Sequence, residues 1–364
     1  MSRRTILIAG GGTGGHLMPA LAIAAELEAR GNGVRPVLVG AARGVEAQLL
    51  PTRDFRYHLL PSEPIYRRTW WKNLRWPMVA GRLLRRIEAL FEEEQPAAVL
   101  GTGGYASGPV VWWAARRGVP TAIQEQNAYP GLATRWLSRR VRHVYLGLPE
   151  ARRLLRFGAS TRVFDTGNPI TPPTPERRAD ALRELRIDRD RPVLLVTGGS
   201  QGALAINRAM AGWLDAGGMR DRTLIWVTGR STHAQFARYH RPPGVSVIDF
   251  LDPMADGYAV ADVVVSRAGM ITVAELCAWG LPSILIPLPT AAADHQSHNA
   301  RVLAEAGAGV LLRQDELTPA TLGAAVERLF SDPGAREAMA ARARARGRPH
   351  AAAEIVSNLL TLLR

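Results

Sequence analysis

Twice in this chain a run of branched apolar residues breaks into glycines and resumes at once with helical spacing. The first is ILIAGGGTGGHLMPALAIAAEL, Ile6 to Leu27, and the second is VLLVTGGSQGALAINRAM, Val193 to Met210. A strand that is apolar on both faces must be covered on both, and a glycine turn leading straight into a helix provides one cover. The rest of the chain keeps this rhythm. Short β-rich runs at 5–9, 36–39, 98–100, 121–123, 142–146 and 162–165 form one series. Runs at 192–196, 223–227, 245–249, 262–265, 283–287 and 309–312 form another. Helical patterns such as 15–29 and 203–214 lie between them. Each series predicts βαβ units and a parallel sheet.

The two series are separated by TGNPITPPTPERRAD, residues 166–180, in which four prolines fall between Pro169 and Pro175. Proline fixes φ and lacks a donor, so this stretch predicts a stiff linker. The expected fold class is α/β, with two Rossmann-like parallel-sheet domains facing across a cleft. The expected domains are 1–165 and 166–346, with a last helix within 347–364 packing back on the first. Ligands of such sheets bind beyond the carboxyl ends of the strands.

Composition narrows the setting. One cysteine, Cys277, excludes an internal disulfide and a cysteine-based metal site, and suits a reducing compartment. The opening MSRRTILIAGGG looks superficially like a signal peptide, but its apolar run is too short and ends in glycines. No apolar stretch approaches the roughly 20 residues that span a bilayer, so a soluble or peripheral protein is expected. The net charge of +14 is nearly all arginine, Lys72 being the only lysine. Such a balance points to anionic membranes, nucleic acid or phosphorylated substrates, or simply to solubility.

Gly10, Gly12 and Gly15 satisfy the dinucleotide pattern G-x-G-x-x-G. That reading demands an acidic residue at the end of the second strand, for a ribose hydroxyl. The strand ends PVLVGAARG, without a carboxylate, and only Arg43 could serve an NADP phosphate. A turn of this shape still aims backbone N–H groups and a helix N-terminus at an anion. His16 stands in the first helical turn, where the dipole disfavours its protonation, so it is a candidate general base or a turn cap. The second loop carries Ser200 and Gln201, able to hold a diphosphate. A third glycine cluster, GTGGYASGP, follows another strand.

In SRAGMITVAELCAWGLPSILIP, residues 266–287, Glu275 stands in the helix after a strand. It is either a partner for two ribose hydroxyls or a charge favoured by the helix dipole. ADHQSHNA, residues 293–300, contains two histidines and an aspartate, but a zinc site needs converging tetrahedral ligands. Gln296 and Asn299, three apart on one helix face, can read sugar hydroxyls. Asp188 and Asp190 form a D-x-D at the amino edge of a strand, the wrong edge for a ligand, and read as a solvated turn.

Together GGTGGHLMPALA, GTGGYASGP, QEQNAYPG, GNP, TGGSQGA, FLDPM, SRAGMITVAEL and ADHQSHNA stand in an order that resembles the MurG family, the N-acetylglucosaminyltransferases that convert lipid I to lipid II in bacterial cell-wall synthesis. The resemblance runs from Ile6 to the last helix. It implies a B-type glycosyltransferase fold, UDP-N-acetylglucosamine as donor, inversion to a β-1,4 linkage, and neither metal nor cofactor. It implies that the second domain holds the donor. Ser200 and Gln201 match the diphosphate loop, and Leu251 matches a backbone contact to uracil. Met270, Ile271, Thr272, Val273, Ala274 and Glu275 match the nucleoside segment, with Glu275 on the ribose. Gln296 and Asn299 match sugar-reading positions, and Arg267 matches a functional arginine. From the first domain, Thr13, Gly14, Gly15 and Asn127 match residues reaching the donor or the acceptor pyrophosphate. Gly103, Gly104 and Tyr105 fall on the acceptor side. His16 matches the proposed base, with Glu125 as runner-up. The chain departs from the family at Thr171, where an arginine is common; Arg177 or Arg178 would take over, or the contact is dispensable.

IYRRTWWKNLRWPMVAGRLLRRI, residues 65–87, carries seven basic residues and no acidic one. Arg67, Arg68, Lys72 and Arg75 interleave with Trp70, Trp71 and Trp76. Arginines attract anionic headgroups and indoles prefer the interface, so an anionic membrane surface is the expected partner, beside lipid I linked to undecaprenyl pyrophosphate. An ordinary helix packed by Leu83, Leu84 and Ile87 reads the same way, and no nucleic-acid motif accompanies the patch. The expected location is the cytoplasmic face of the bacterial inner membrane. The alternatives are a UDP-sugar epimerase of the same fold, an NADP-dependent oxidoreductase and a non-catalytic membrane scaffold.

Overall fold

A computed structural model describes residues 4–31, 33–64, 70–187, 190–199, 202–219 and 221–363, with the backbone alone at 70, 72 and 73. The chain divides into two compact units, Met1–Ile170 with His350–Arg364, and Thr171–Pro349. The division falls inside the proline-rich stretch.

The first unit is built on β1 (Arg4–Gly10), β2 (Val34–Ala41), β3 (Tyr57–Leu60), β4 (Ala98–Gly103), β5 (Thr121–Glu125), β6 (His143–Leu146) and β7 (Arg162–Phe164). Its helices are α1 (Gly14–Ala29), α2 (Glu46–Leu49), α3 (Trp76–Glu94), α4 (Ser107–Arg116) and α5 (Leu132–Leu137). All seven strands run parallel in the order β3-β2-β1-β4-β5-β6-β7. The order reverses between β1 and β4. That is the topological switch point, where the turns after two neighbouring strands open to opposite sides and leave a crevice.

The second unit carries β8 (Val193–Thr197), β9 (Thr223–Val227), β10 (Val245–Ile248), β11 (Val263–Ser266), β12 (Ser283–Leu285) and β13 (Val310–Leu311) in the parallel order β10-β9-β8-β11-β12-β13. Its helices are α6 (Arg178–Glu184), α7 (Leu204–Asp215), α8 (His233–Phe236), α9 (Met254–Val260), α10 (Met270–Trp279), α11 (His295–Glu305), α12 (Pro319–Ser331) and α13 (Pro333–Arg346). The switch point here lies between β8 and β11, each followed by a glycine turn and a helix.

Helix α14 (Ala351–Leu360) belongs to the first unit and packs on α1. Ile355, Val356 and Leu359 join Ile23, Ala24 and Leu27 in one core cluster, all without exposure. The guanidinium of Arg30 donates to Ser357 Oγ at 2.8 Å and to the Ala353 carbonyl at 2.7 Å.

Strand β3 is absent from the sequence reading. It is a four-residue edge strand with only Leu60 fully buried, so it lacks the continuous apolar run that marks the central strands.

Candidate active site

The glycine-rich turn after β1 has two physically different halves. Gly10, Gly11 and Gly12 are glycines because of what surrounds them. A Cβ on Gly10 would lie 1.9 Å from Thr102 Oγ1, on Gly11 2.1 Å from Glu46 Oε1, and on Gly12 2.6 Å from the Tyr105 ring. Glu46 is fully buried, and its two carboxylate oxygens accept from the Gly12 N–H at 2.7 and 2.9 Å. The same carboxylate accepts from the Ala41 N–H at 2.9 Å. The amide that a cofactor phosphate would use is therefore taken by an internal anion. Arg43, the candidate for an NADP phosphate, pairs instead with Glu63, as does Arg75.

The second half of the turn is open. Nothing lies within 4 Å of a Cβ placed on Gly14, and Thr13 and Gly15 are exposed. Thr13 is the N-cap of α1 without a side-chain cap, and the first turn holds no acidic residue. Uncapped N–H groups at a helix start attract an anion. The third glycine cluster closes over this turn. The Gly11 N–H donates to the Gly103 carbonyl at 3.3 Å. Gly104 adopts φ +82°, and a Cβ there would sit 1.7 Å from the Gly11 carbonyl oxygen.

His16 stands half-buried in the first turn of α1, its carbonyl held by Thr102 Oγ1 at 2.9 Å. Its Nδ1 lies 3.1 Å from Gln126 Oε1. Glu125, the last residue of β5, is buried, and its carboxylate is occupied by N–H groups. One oxygen accepts from the Asn127 N–H at 3.0 Å and its side-chain amide at 3.3 Å, and the other accepts from the Gly131 N–H at 3.1 Å. Glu125 thus clamps the loop over 127–131, with Asn127 as its partner.

In the second unit, the glycines after β8 are also partly packing. A Cβ on Gly198 would lie 2.2 Å from the Ala203 nitrogen, and on Gly202, at φ +73°, 2.3 Å from the Thr228 carbonyl oxygen. Gly199 is at φ +80° and faces open space. Ser200 and Gln201 lie outside the described residues. The helices that follow, α7 and α10, both begin without a side-chain cap, and a Cβ on Gly269, the N-cap of α10, would meet nothing. Both N-termini flank the switch point with donors that no N-cap side chain takes.

Arg267, between β11 and α10, is more than half buried, and burial lowers its pKa. Its guanidinium donates to the carbonyls of Ile286 and Pro287 at 3.1 Å each, and no carboxylate pairs with it among the described residues. Glu275 is the sixth residue of α10, beyond the first turn, so the helix dipole does not explain it. Burial pushes its carboxyl up to about 7, opposed by a hydrogen bond from the Tyr258 hydroxyl at 3.0 Å. Met270 and Val273 are buried in the core, while Ile271, Thr272 and Ala274 are half-buried on the same helix. Leu251 is buried, at 9% exposure. Gln296 and Asn299 share α11. Gln296 Oε1 accepts from the Leu288 N–H at 3.0 Å; Asn299 is fully buried and its amide donates to the Ala268 carbonyl at 3.3 Å.

Arg177 forms a two-pronged pair with Asp256 at 2.7 and 3.0 Å, and Arg178 donates to the Ala259 carbonyl at 2.7 Å. Both hold α6 to α9, so neither is set aside to replace the arginine expected at 171. His58, Glu93 and Glu94 gather ligand atoms within 4.8 Å, but Arg35 and Arg56 occupy the carboxylates. Of the tryptophan-rich stretch, Arg67 and Arg68 lie outside the described residues, as do the side chains of Trp70 and Lys72. Trp71 is exposed and Trp76 half-buried. Asp188 also lies outside the description.

Sequence reasoning missed Glu46, Gln124, Gln126 and Tyr258. Gln124 and Gln126 flank Glu125 in QEQN, and an unbroken run of four polar residues at the end of a buried strand was the available signal.

The chain matches the glycosyltransferase family 28 N-terminal domain over residues 6–146 and the glycosyltransferase family 28 C-terminal domain over residues 193–355. A relative from Desulforudis audaxviator is 40% identical over 359 residues, 95% of each chain. One from Desulforamulus reducens is 38% identical over 360 residues, 96% of each chain. Both are named UDP-N-acetylglucosamine–N-acetylmuramyl-(pentapeptide) pyrophosphoryl-undecaprenol N-acetylglucosamine transferase. The crystal structure of Acinetobacter baumannii MurG matches with a TM-score of 0.80 at 27% identity, over 98% of this chain and 99% of that one. A UDP-GlcNAc 2-epimerase from Neisseria meningitidis shares the fold alone, with a TM-score of 0.65 at 14% identity over 98% and 100%. Two parallel-sheet α/β units, each with glycine turns at its switch point, define an enzyme of the B-type glycosyltransferase fold. The chain belongs to glycosyltransferase family 28.

Proposed function

We propose that the chain transfers N-acetylglucosamine from UDP-N-acetylglucosamine to the muramoyl 4-hydroxyl of lipid I, giving lipid II and UDP with inversion at the sugar carbon. One observation carries the reading: relatives named for this transfer match 95–96% of the chain at 38–40% identity, through both units. The epimerase alternative shares only the fold. The oxidoreductase alternative has the Gly12 amide taken by Glu46 and its candidate for the NADP phosphate, Arg43, paired with Glu63.

In this reading the second unit binds the donor. Ionised Glu275 accepts from the ribose hydroxyls, and Gln296 reads the sugar. Departure of UDP leaves negative charge on the diphosphate. Uncapped amides at α7 and α10, with the guanidinium of Arg267, are fixed donors for that charge and need no reorganisation as it develops. The first unit binds the acceptor. The open amides of Thr13 to Gly15 take its pyrophosphate, and His16 takes the proton of the 4-hydroxyl. Glu125 keeps the neighbouring loop in place.

With a soluble lipid I analogue, UDP release should depend strictly on the acceptor and persist in EDTA. Release without acceptor, or an absolute need for added magnesium or manganese, would refute the reading.

The same unit carries the membrane-facing surface. Helices α3, α4 and α5 pack in succession. At the start of α3 and just before it, Trp71, Leu74 and Met78 are 55%, 74% and 67% exposed. On α5, Leu132 and Trp136 are exposed, and the Arg140 guanidinium lies 4.5 Å from the Trp136 ring centroid. No helix among the described residues is long and apolar enough to cross a membrane. A surface of indoles and arginines suits peripheral attachment to anionic lipid at the cytoplasmic face, where the lipid-borne acceptor lies. Replacing Trp71, Leu74 and Trp136 by serine should cut binding to anionic vesicles at least about tenfold, at roughly 2 kcal/mol per buried large side chain. UDP affinity should not change. Vesicle binding equal to wild type would remove the assignment.

A further inference from the structure

Three buried side-chain amides lead away from His16, and main-chain carbonyls set their direction. Gln126 Nε2 donates to the Thr102 carbonyl at 2.6 Å, and Asn168 Nδ2 donates to the Gln126 carbonyl at 3.1 Å. A main-chain carbonyl oxygen only accepts, so both nitrogens must face these oxygens. The oxygens then face the other way. Asn168 Oδ1 accepts from Gln124 Nε2 at 2.8 Å, and Gln124 Oε1 accepts from Gln126 Nε2. Gln126 Oε1 is left facing His16 Nδ1 at 3.1 Å. Turning any one of the three amides over would set oxygen against oxygen, at sites where Gln124, Gln126 and Asn168 are 1%, 2% and 1% exposed.

We infer that Asn168, Gln124 and Gln126 form a one-way hydrogen-bond chain that fixes the proton of neutral His16 on Nδ1 and leaves the lone pair on Nε2. They are positioning residues, and their catalytic relevance rests on the proposal that His16 is the base. A base must present its lone pair to the hydroxyl it deprotonates, and a ring with the opposite tautomer would present N–H there. The chain also accounts for Gly147. A Cβ at that position would lie 2.4 Å from Asn168 Oδ1 and would push the far end of the chain out of line.

The test is the ¹⁵N spectrum of histidine-labelled protein at about pH 8, above the ordinary histidine range. The His16 signals among the 8 histidines are assigned by their loss in His16→Asn. Wild type should show the Nδ1–H form in roughly tenfold excess or more. Gln126→Met, which keeps the shape and removes the acceptor, should show both tautomers. Gln126→Glu keeps an acceptor, its protonated second oxygen donating to the Thr102 carbonyl in place of Nε2, and should keep the Nδ1–H form; it serves if the methionine variant does not fold. Asn168→Leu should lower the excess without abolishing it. An Nε2–H tautomer in wild type, or an undiminished Nδ1–H form in Gln126→Met, would overturn the inference. If the Nδ1–H form holds but His16→Ala turns over normally, the chain stands and the assignment of the base fails.

Discussion

His16→Ala should lower kcat for UDP release with a lipid I analogue by about 10²–10⁴-fold, the usual contribution of a positioned base. The KM for UDP-N-acetylglucosamine should stay within about twofold, because the donor contacts assigned here all belong to the second unit. This split separates a lost proton acceptor from a damaged fold, which would move both constants. The stability cost should be small. His16 is half-buried, and its ring nitrogen Nδ1 meets the Gln126 amide. That amide would lose one acceptor bond of about 1 kcal/mol. A kcat within a few-fold of wild type would place the base elsewhere. Glu125 is a poor substitute, since both its oxygens already accept from Asn127 and Gly131.

The second large effect concerns pH. Burial raises the Glu275 carboxyl to about 7, and the Tyr258 hydroxyl partly offsets this by donating to it. In the free enzyme Glu275 is thus mostly protonated below about pH 7. Ribose hydroxyls donate to the ionised form, so binding UDP must expel that proton. UDP affinity should therefore fall as pH drops below 7, approaching about tenfold per unit, and level off above 8. Calorimetry near pH 6 should register proton release, as a binding heat that varies with the ionisation enthalpy of the buffer. For stability the sign is opposite. The folded pKa exceeds the unfolded one, so this group's contribution to the ligand-free enzyme is complete at acid pH and is lost as pH rises through 7. Glu275→Gln should bind UDP about 10²-fold more weakly at pH 8, at about 1.5–3 kcal/mol for a charge-assisted hydrogen bond, and should show no pH dependence. Tyr258→Phe removes a donor from the carboxylate and should move the affinity curve to higher pH. A wild-type affinity flat between pH 6 and 8 would separate Glu275 from the ribose.

Much of this architecture is legible in the residues themselves. Parallel strands covered on both faces read as short continuous apolar runs, and twelve of the thirteen described strands overlap such runs. The one that does not, β3, is an edge strand with a single fully buried residue. The glycines were legible as turns but not as two kinds of turn. Gly14 and Gly269 border open space, whereas Gly10 and Gly202 are fitted against Thr102 and Thr228. Nothing local separates these, because the difference lies in atoms brought in from elsewhere in the chain. Glu125 shows the same limit: a carboxylate in a glycosyltransferase motif reads as a base until its N–H partners are in view.

What the sequence determined by itself is the alternation of strand and helix, the break between two sheets, and the family. These rest on periodicity, turn chemistry and motif order, which are properties of neighbouring residues. The tertiary structure alone decided which groups meet. Gly12 finds the carboxylate of Glu46, 34 residues away, and His16 finds the amide of Gln126, 110 residues away. Such contacts leave no periodic trace. Hydrogen bonds in a buried site form between whatever polar groups the packing of the sheet brings together, and each must be satisfied there because water is excluded.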